Sequence, residues 1–338
     1  QGVSSAASDV YKRQQDKKAE KIPLSEFHFR EMMVAAVGVL MLMYVADYGK
    51  MLDWMASFKI CAYIVIGPIL LAFFIWLQKT AEKPFVSLAP LYQPKAVVGY
   101  FYMMLTMFFS TSTTLLTNYM TTILQVDSTR TYLVYIWALP GYALGAFICF
   151  WWFRWQRWRF RFLVAGAMGC FAVFFGILYF TISPESTYEM LFFPIFIRGV
   201  GMLVLIIAFG LFAVEDLNPK FLLSNAFFLI LCRSVLAPLM ATSFYSNTLY
   251  HLQQKYIHSL SETITMVDPL AASKFSQSLS SGIGQGHGYA EATQMATTSL
   301  YSTLQQQSLL LALKDILGWL FTVSYTHLRA HETSQDLV

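Results

Sequence analysis

Long apolar segments alternate with short polar segments along the whole chain. Most of them are long enough, at about 1.5 Å of rise per helical residue, to cross a hydrocarbon core about 30 Å thick. Lipid offers no water to bond the backbone, so a segment of this length must form a helix. The pattern predicts an all-α polytopic membrane bundle with about eight transmembrane helices, at residues 32–46, 58–77, 96–124, 132–152, 162–182, 190–214, 221–244 and 308–322.

A basic turn lies between the fourth and fifth predicted spans. It carries Arg154, Arg157, Arg159 and Arg161 within a few residues. Basic residues in short loops are retained on the cytoplasmic side of a membrane, so these four arginines should set the topology of the chain. We therefore predict that this turn is cytoplasmic and that the next loop, 183–189, which has acids but no lysine or arginine, faces outward.

The third predicted span differs from the others because small hydroxyl residues recur in it at steps of three and four. Such a spacing places them on one helical face. Small hydroxyl residues can join helices in a membrane by hydrogen bonds, or they can line a water-accessible cavity. Both interpretations remain open at this point for the hydroxyl stripe, which is formed by Thr106, Ser110, Thr113, Thr117 and Thr121, and for the neighbouring Asn118.

Three charged residues lie within later apolar segments. Arg198 and Arg233 fall near mid-depth of spans six and seven, and Asp315 falls in the last span. An arginine facing lipid would cost about 2.5–3.5 kcal/mol, so each arginine should face the bundle interior, as a structural pair or as part of a substrate path. Trp137 is a further candidate for that path, since it lies near the middle of span four beside Pro140, where a bend is expected.

A long outer segment, 246–307, precedes the last span. It contains amphipathic stretches near 249–267 and 290–307, separated by residues 276–288. The glycine cluster at 282–288 follows no strand and lacks the GxGxxG spacing of a nucleotide-binding loop. We expect this cluster to be a flexible linker.

Composition narrows the function classes. Of the 338 residues, 57% are hydrophobic and 12% are charged, about half the charged fraction of a soluble domain. The net charge of +4 lies mainly in membrane-flanking loops and needs no nucleic-acid partner. The four cysteines form no CxxC pair, and no HExxH, GxSxG or DxD pattern occurs. No metal or cofactor is therefore expected, and an enzyme such as a membrane-embedded transferase is the weaker alternative.

Both ends of the chain, 1–15 and 323–338, resemble translated sequencing-adapter remnants, so we expect them to be non-native and the chain to be a fragment. The spacing of His327 and His331 imitates a metal-ligand pair but lies in such a segment. The remainder divides into a cytoplasmic linker with two helices, 16–94, and a six-helix bundle, 95–322.

This plan of two plus six spans resembles the carboxy-terminal portion of a fourteen-span EmrB/QacA-type drug:proton antiporter of the major facilitator superfamily. The resemblance rests on short motifs in this order: 48–54, 83–88, 198–202, Arg233 and 307–315. Members often have an acid where this chain has Ser87, and the family's diagnostic antiporter motif belongs to the amino-terminal half.

The resemblance implies a major facilitator fold, with two six-helix bundles and a substrate path between them. It also implies a multi-pass protein of the bacterial inner membrane that exports amphipathic compounds in exchange for protons. Some relatives work with a periplasmic adaptor protein and an outer-membrane channel, which could dock on the long outer segment. The main proton-coupling carboxylate is then expected in the amino-terminal half.

Overall fold

The computed structural model describes residues 29–52, 54–81, 84, 86–155, 160–263 and 268–333, without the side chains of 263 and 327–333. All regular structure in this part of the chain is helical, which confirms the all-α polytopic prediction. The α-helices are α1 (Phe29–Tyr48), α2 (Phe58–Thr80), α3 (Pro94–Thr111), α4 (Thr113–Asn118), α5 (Ser128–Ile136), α6 (Ala138–Trp155), α7 (Phe160–Thr181), α8 (Phe192–Phe212), α9 (Leu222–Leu231), α10 (Ala237–Thr263), α11 (Pro269–Gly284) and α12 (Tyr289–Thr333).

Seven helical segments of the described chain are long and apolar enough to cross a membrane. They cover every predicted span except the third. There the helix is divided at Ser112, and a π-helical turn occupies Tyr119–Ile123. The division leaves α3 only 18 residues long, and Lys95 and the hydroxyl residues make this helix less apolar than the other seven segments.

The chain divides into two compact units at Ser87 and Leu88. In the first unit, α1 packs against α2, and two glycines allow the close approach: a Cβ on Gly38 would lie 3.2 Å from the carbonyl oxygen of Gly67. The buried Gln78 amide donates to Glu31 and accepts from the amide of Val86 at 3.0 Å. These bonds satisfy a polar group that would be costly to bury alone.

In the second unit, α8 packs between α6 and α7, and α7 also packs along α12. The core between them is aromatic, with Phe109, Phe171 and Phe175 within about 6 Å of one another. A Cβ on Gly201 would lie 2.8 Å from the carbonyl oxygen of Ala167, so α8 and α7 are in backbone contact. Small residues commonly permit such contacts between membrane helices.

The basic turn lies between the end of α6 and the start of α7, at one end of the unit. Phe160 stacks on Phe212 at 5.5 Å at this end. Arg154 lies in the last turn of α6 and Arg161 in the first turn of α7, so both lie there as the sequence predicts. Arg157 and Arg159 lie outside the described residues. The cytoplasmic assignment of this end stays a prediction.

The outer segment 246–307 is mostly helical, rather than a loop, over its described residues 246–263 and 268–307. It consists of the end of α10, all of α11 and the start of α12, and α11 packs against α12. The expected flexible linker at 282–288 is helical in its first part, because α11 continues to Gly284; Gly286 then turns the chain with a φ of 91°. The amide of His287 donates to the carbonyl of Gly282 at 3.2 Å, which closes a Schellman-type cap.

Candidate functional site

The helix break at Ser112 lies within the hydroxyl stripe. Several stripe hydroxyls donate to the carbonyl four residues earlier: Thr106 to Tyr102 at 2.8 Å and Thr117 to Thr113 at 3.0 Å. Such bonds satisfy the hydroxyl hydrogen within its own helix. The oxygen lone pairs of these groups remain available to other partners.

One end of the stripe borders a cavity of about 520 Å³, which is within the usual size range of small-molecule sites. The cavity lies between α4, α5, α6 and α8. Its walls are formed by Thr113, Thr114, Thr117, Asn118, Tyr135, Ala138, Tyr142 and Arg198. Most of these residues carry a polar group, and none carries a carboxylate.

The two interpretations of the stripe hold at different positions. Thr113, Thr117 and Asn118 line the cavity, as the functional interpretation predicts. Thr106 and Ser110 are buried away from it among the helices. Thr106 therefore packs in the interior of the unit, whereas Ser110 has a further role as a hydrogen-bond partner of Arg198.

Arg198 is the charged group of the cavity. Its side chain is 5% exposed, and Nη2 donates to the carbonyl oxygen of Ser110 at 2.7 Å and to its hydroxyl oxygen at 2.8 Å. The Nε–H has no hydrogen-bond partner. Within the described chain, Arg198 forms no ion pair. The prediction that this arginine faces the bundle interior is confirmed.

Three tyrosines surround the guanidinium. Tyr135 and Tyr142 line the cavity together with Arg198, and the phenol groups of Tyr142, Tyr135 and Tyr245 act on this arginine electrostatically. Tyr135 is itself fixed, because its hydroxyl donates to the carbonyl of Thr113 at 2.9 Å and contacts the Thr117 hydroxyl at 2.6 Å. Phenol dipoles solvate a buried cation, but they carry no compensating charge.

Tyr135 and Tyr142 lie on either side of a second helix break, at Trp137. The ring nitrogen of Pro140 cannot donate to the carbonyl of Ile136, and α5 ends at that residue. Asp127 caps the start of α5, and hydrogen bonds from the hydroxyl and amide of Thr129 lower the pKa of this carboxyl below its usual value. The capped start and the broken end together hold Tyr135 at the cavity wall.

Glycines bring α6 and α8 close enough to place Tyr142 beside Arg198. A Cβ on Gly141 would lie 2.3 Å from the carbonyl oxygen of Phe196, and one on Gly199 would lie 2.6 Å from that of Ala138. Gly141 and Gly145 form a GxxxG pattern, which is common where membrane helices cross closely.

Three predicted candidates lie away from this cavity. The indole of Trp137 is 46% exposed and stacks on Phe192 at 5.1 Å. Arg233 does not face the interior of the second unit, because its side chain is exposed; its place in a substrate path stays a prediction. Its neighbour Cys232 takes the buried position, and consecutive helical residues point about 100° apart.

The prediction that Asp315 lies deep in the last span also needs correction. Gly318, one turn later, faces Tyr179 in the final turn of α7, so Asp315 lies level with the end of that helix. Its carboxylate accepts a hydrogen bond from the Tyr256 hydroxyl of α10. The sequence of α12 alone does not show this level, because it depends on how α12 aligns with α7.

Tyr135 and Tyr142 line the cavity but were not predicted from the sequence as cavity residues. Their spacing of seven corresponds to two helical turns and could have suggested a common face. The described residues contain no cluster of His, Cys, Asp or Glu that could hold a metal ion. In comparisons with known proteins, no family model matches this chain, and no curated protein matches it significantly.

Proposed function

We propose that this chain forms part of a secondary active transporter that exports small amphipathic compounds in exchange for protons across a bacterial plasma membrane. The observation that carries the proposal is the polar cavity inside a multi-pass helical protein, with Arg198 in its wall. Ionisable residues at membrane depth are costly and mark substrate or ion paths more often than lipid-facing surfaces.

The helix breaks around the cavity support movement of its walls. The hydrogen-bond ladder is interrupted at Ser112 and Trp137 and widened in the π-helical turn at Tyr119–Ile123. Interrupted helices and π-turns often occur at functional sites and hinges, and transporters commonly bind substrate at discontinuous helices. These breaks would let the two ends of the cavity open in turn.

The test is to express the full-length gene in an efflux-deficient bacterial host. We expect it to raise tolerance to amphipathic compounds, and we expect an uncoupler to abolish this effect. Tolerance that survives collapse of the proton gradient would contradict proton coupling. Absence of any transported compound in a properly inserted protein would contradict the transport proposal itself.

A matched pair of threonine variants tests whether the cavity is the path. Thr117→Val removes a hydroxyl that lines the cavity and contacts Tyr135, so export should fall about two- to tenfold. Thr121→Val removes a hydroxyl of the same stripe that bonds only within its own helix and lies outside the cavity lining. Equal losses in the two variants would argue against a role for this cavity.

The helical outer segment supports a second part of the proposal, a periplasmic adaptor as partner. Helix α11 is a polar helix that packs on α12 and leaves much of its surface exposed. Deleting residues 264–288 should weaken copurification of a coexpressed periplasmic adaptor without preventing membrane insertion. Unchanged copurification would remove the outer segment as its docking surface.

A further inference from the structure

We infer that the cavity selects compounds with an anionic head group, a carboxylate or a sulfonate, which binds at Arg198. This inference rests on the proposed transport function and specifies its substrate class. It starts from the chemistry of the cavity wall, where one buried guanidinium is the formal charge and carboxylates are absent from the lining residues.

The charge of Arg198 is solvated but not neutralised by the described chain. Its hydrogen-bond partners are the carbonyl and hydroxyl oxygens of Ser110, and Tyr135 and Tyr142 line the cavity beside it; all of these groups are neutral. A buried charge without a counter-ion is strongly disfavoured unless another ion compensates it. The unpartnered Nε–H also leaves one guanidinium donor for such an ion.

The wall also explains why the anion should be part of an amphipathic molecule. Tyr135 and Tyr142 present aromatic surfaces, and Thr113, Thr117 and Asn118 present hydrogen-bonding groups. A cavity of about 520 Å³ has room for a ring system beyond the head group. A cationic compound could contact the same tyrosine rings, but the positive charge of Arg198 would repel it.

Binding of two probes that share one fluorophore tests this inference. Dansylglycine carries a carboxylate, and dansyl-aminoethyl-trimethylammonium carries a fixed positive charge. Each probe would be titrated into the full-length protein in phosphatidylcholine nanodiscs, and the fluorescence measured with empty nanodiscs would be subtracted. The wild type should bind the carboxylate probe at least about tenfold more tightly than the cation. Equal or reversed preference would overturn the inference.

Substitutions at Arg198 assign the preference to this residue. Arg198→Gln should weaken carboxylate binding about ten- to a hundredfold and leave binding of the cation unchanged or tighter. Arg198→Lys keeps the charge but not the planar donor fork, so it should retain the preference with a smaller loss. Arg130→Gln, which removes an exposed arginine outside the cavity, is the charge control and should bind both probes as the wild type does.

The outcomes separate this inference from the proposal on which it rests. An equal loss for both probes in Arg198→Gln, with Arg198→Lys also lacking the preference, would give Arg198 a structural role only. Repeating the titration in nanodiscs that contain phosphatidylglycerol tests whether the natural anion is a lipid. If this anionic lipid displaces the carboxylate probe and no soluble carboxylate or sulfonate does, the site at Arg198 binds a lipid head group. Uncoupler-sensitive export of cations by the wild type would overturn anion selectivity and leave the transport proposal standing.

Discussion

Gly141→Ala is expected to force α6 away from α8 and to lower the stability of the second unit. The added methyl group would lie 2.3 Å from the carbonyl oxygen of Phe196, whereas an ordinary contact begins near 3.4 Å. The two backbones must therefore separate locally by about 1 Å, the difference between those distances. A carbonyl in a helix has no rotamer that would relieve the overlap.

The magnitude follows from the cost of overpacking, which is about 1–3 kcal/mol in a closely packed interior. In domains of about 150–250 residues, each kcal/mol lowers the unfolding midpoint by about 2–4 °C. We therefore expect a decrease of at least about 2 °C. Export should fall as well, because the same contact places Tyr142 of α6 beside Arg198 of α8.

Thermal unfolding can be followed with a thiol-reactive fluorophore in detergent, because Cys149 and Cys232 are buried in the folded chain. Gly210→Ala is the matched control: it lies in α8, and an added Cβ would meet nothing within 4 Å. Alanine also has the higher helix propensity, so this variant should keep or raise the midpoint. Equal midpoints for Gly141→Ala and Gly210→Ala would refute the close contact between α6 and α8.

Three further predictions concern residues outside the cavity. Asp315→Asn should still transport, since an amide oxygen can accept the same phenol hydrogen bond; loss of transport despite normal insertion would identify Asp315 as the coupling carboxylate. Arg233→Gln should reduce uncoupler-sensitive export less than Arg198→Gln does, because Arg198 lines the cavity and Arg233 does not. A larger loss in Arg233→Gln would indicate that Arg233 belongs to the substrate path. Gly286→Ala should destabilise the turn between α11 and α12 by about 1 kcal/mol, because glycine is there at a φ of 91°. Limited proteolysis should cut this variant faster than Gly288→Ala, and equal rates would contradict the strained turn.

In the outer segment, composition alone did not predict the structure of residues 276–288. Glycine and serine are frequent at 276–288, and this composition is typical of linkers. The structure nevertheless gives helix to Gly284, with Gly282 packed against Ala292 of α12 at a distance that only a small residue allows. Glycine there permits close packing of two helices, a role that depends on a partner distant in sequence.

The sequence by itself determined the class of the fold, the place of the basic turn along the chain and the common face of the hydroxyl stripe. A long apolar segment in lipid can satisfy its backbone hydrogen bonds within itself only as a helix. Helical periodicity alone then places Thr113 and Thr117 on a common face. Only the tertiary structure decided that Arg198 meets Ser110, that Tyr135 and Tyr142 join them, and that Arg233 and Asp315 do not. Periodicity relates residues within one helix, whereas the partner that each face meets and the level at which helices align depend on packing between segments far apart in the chain.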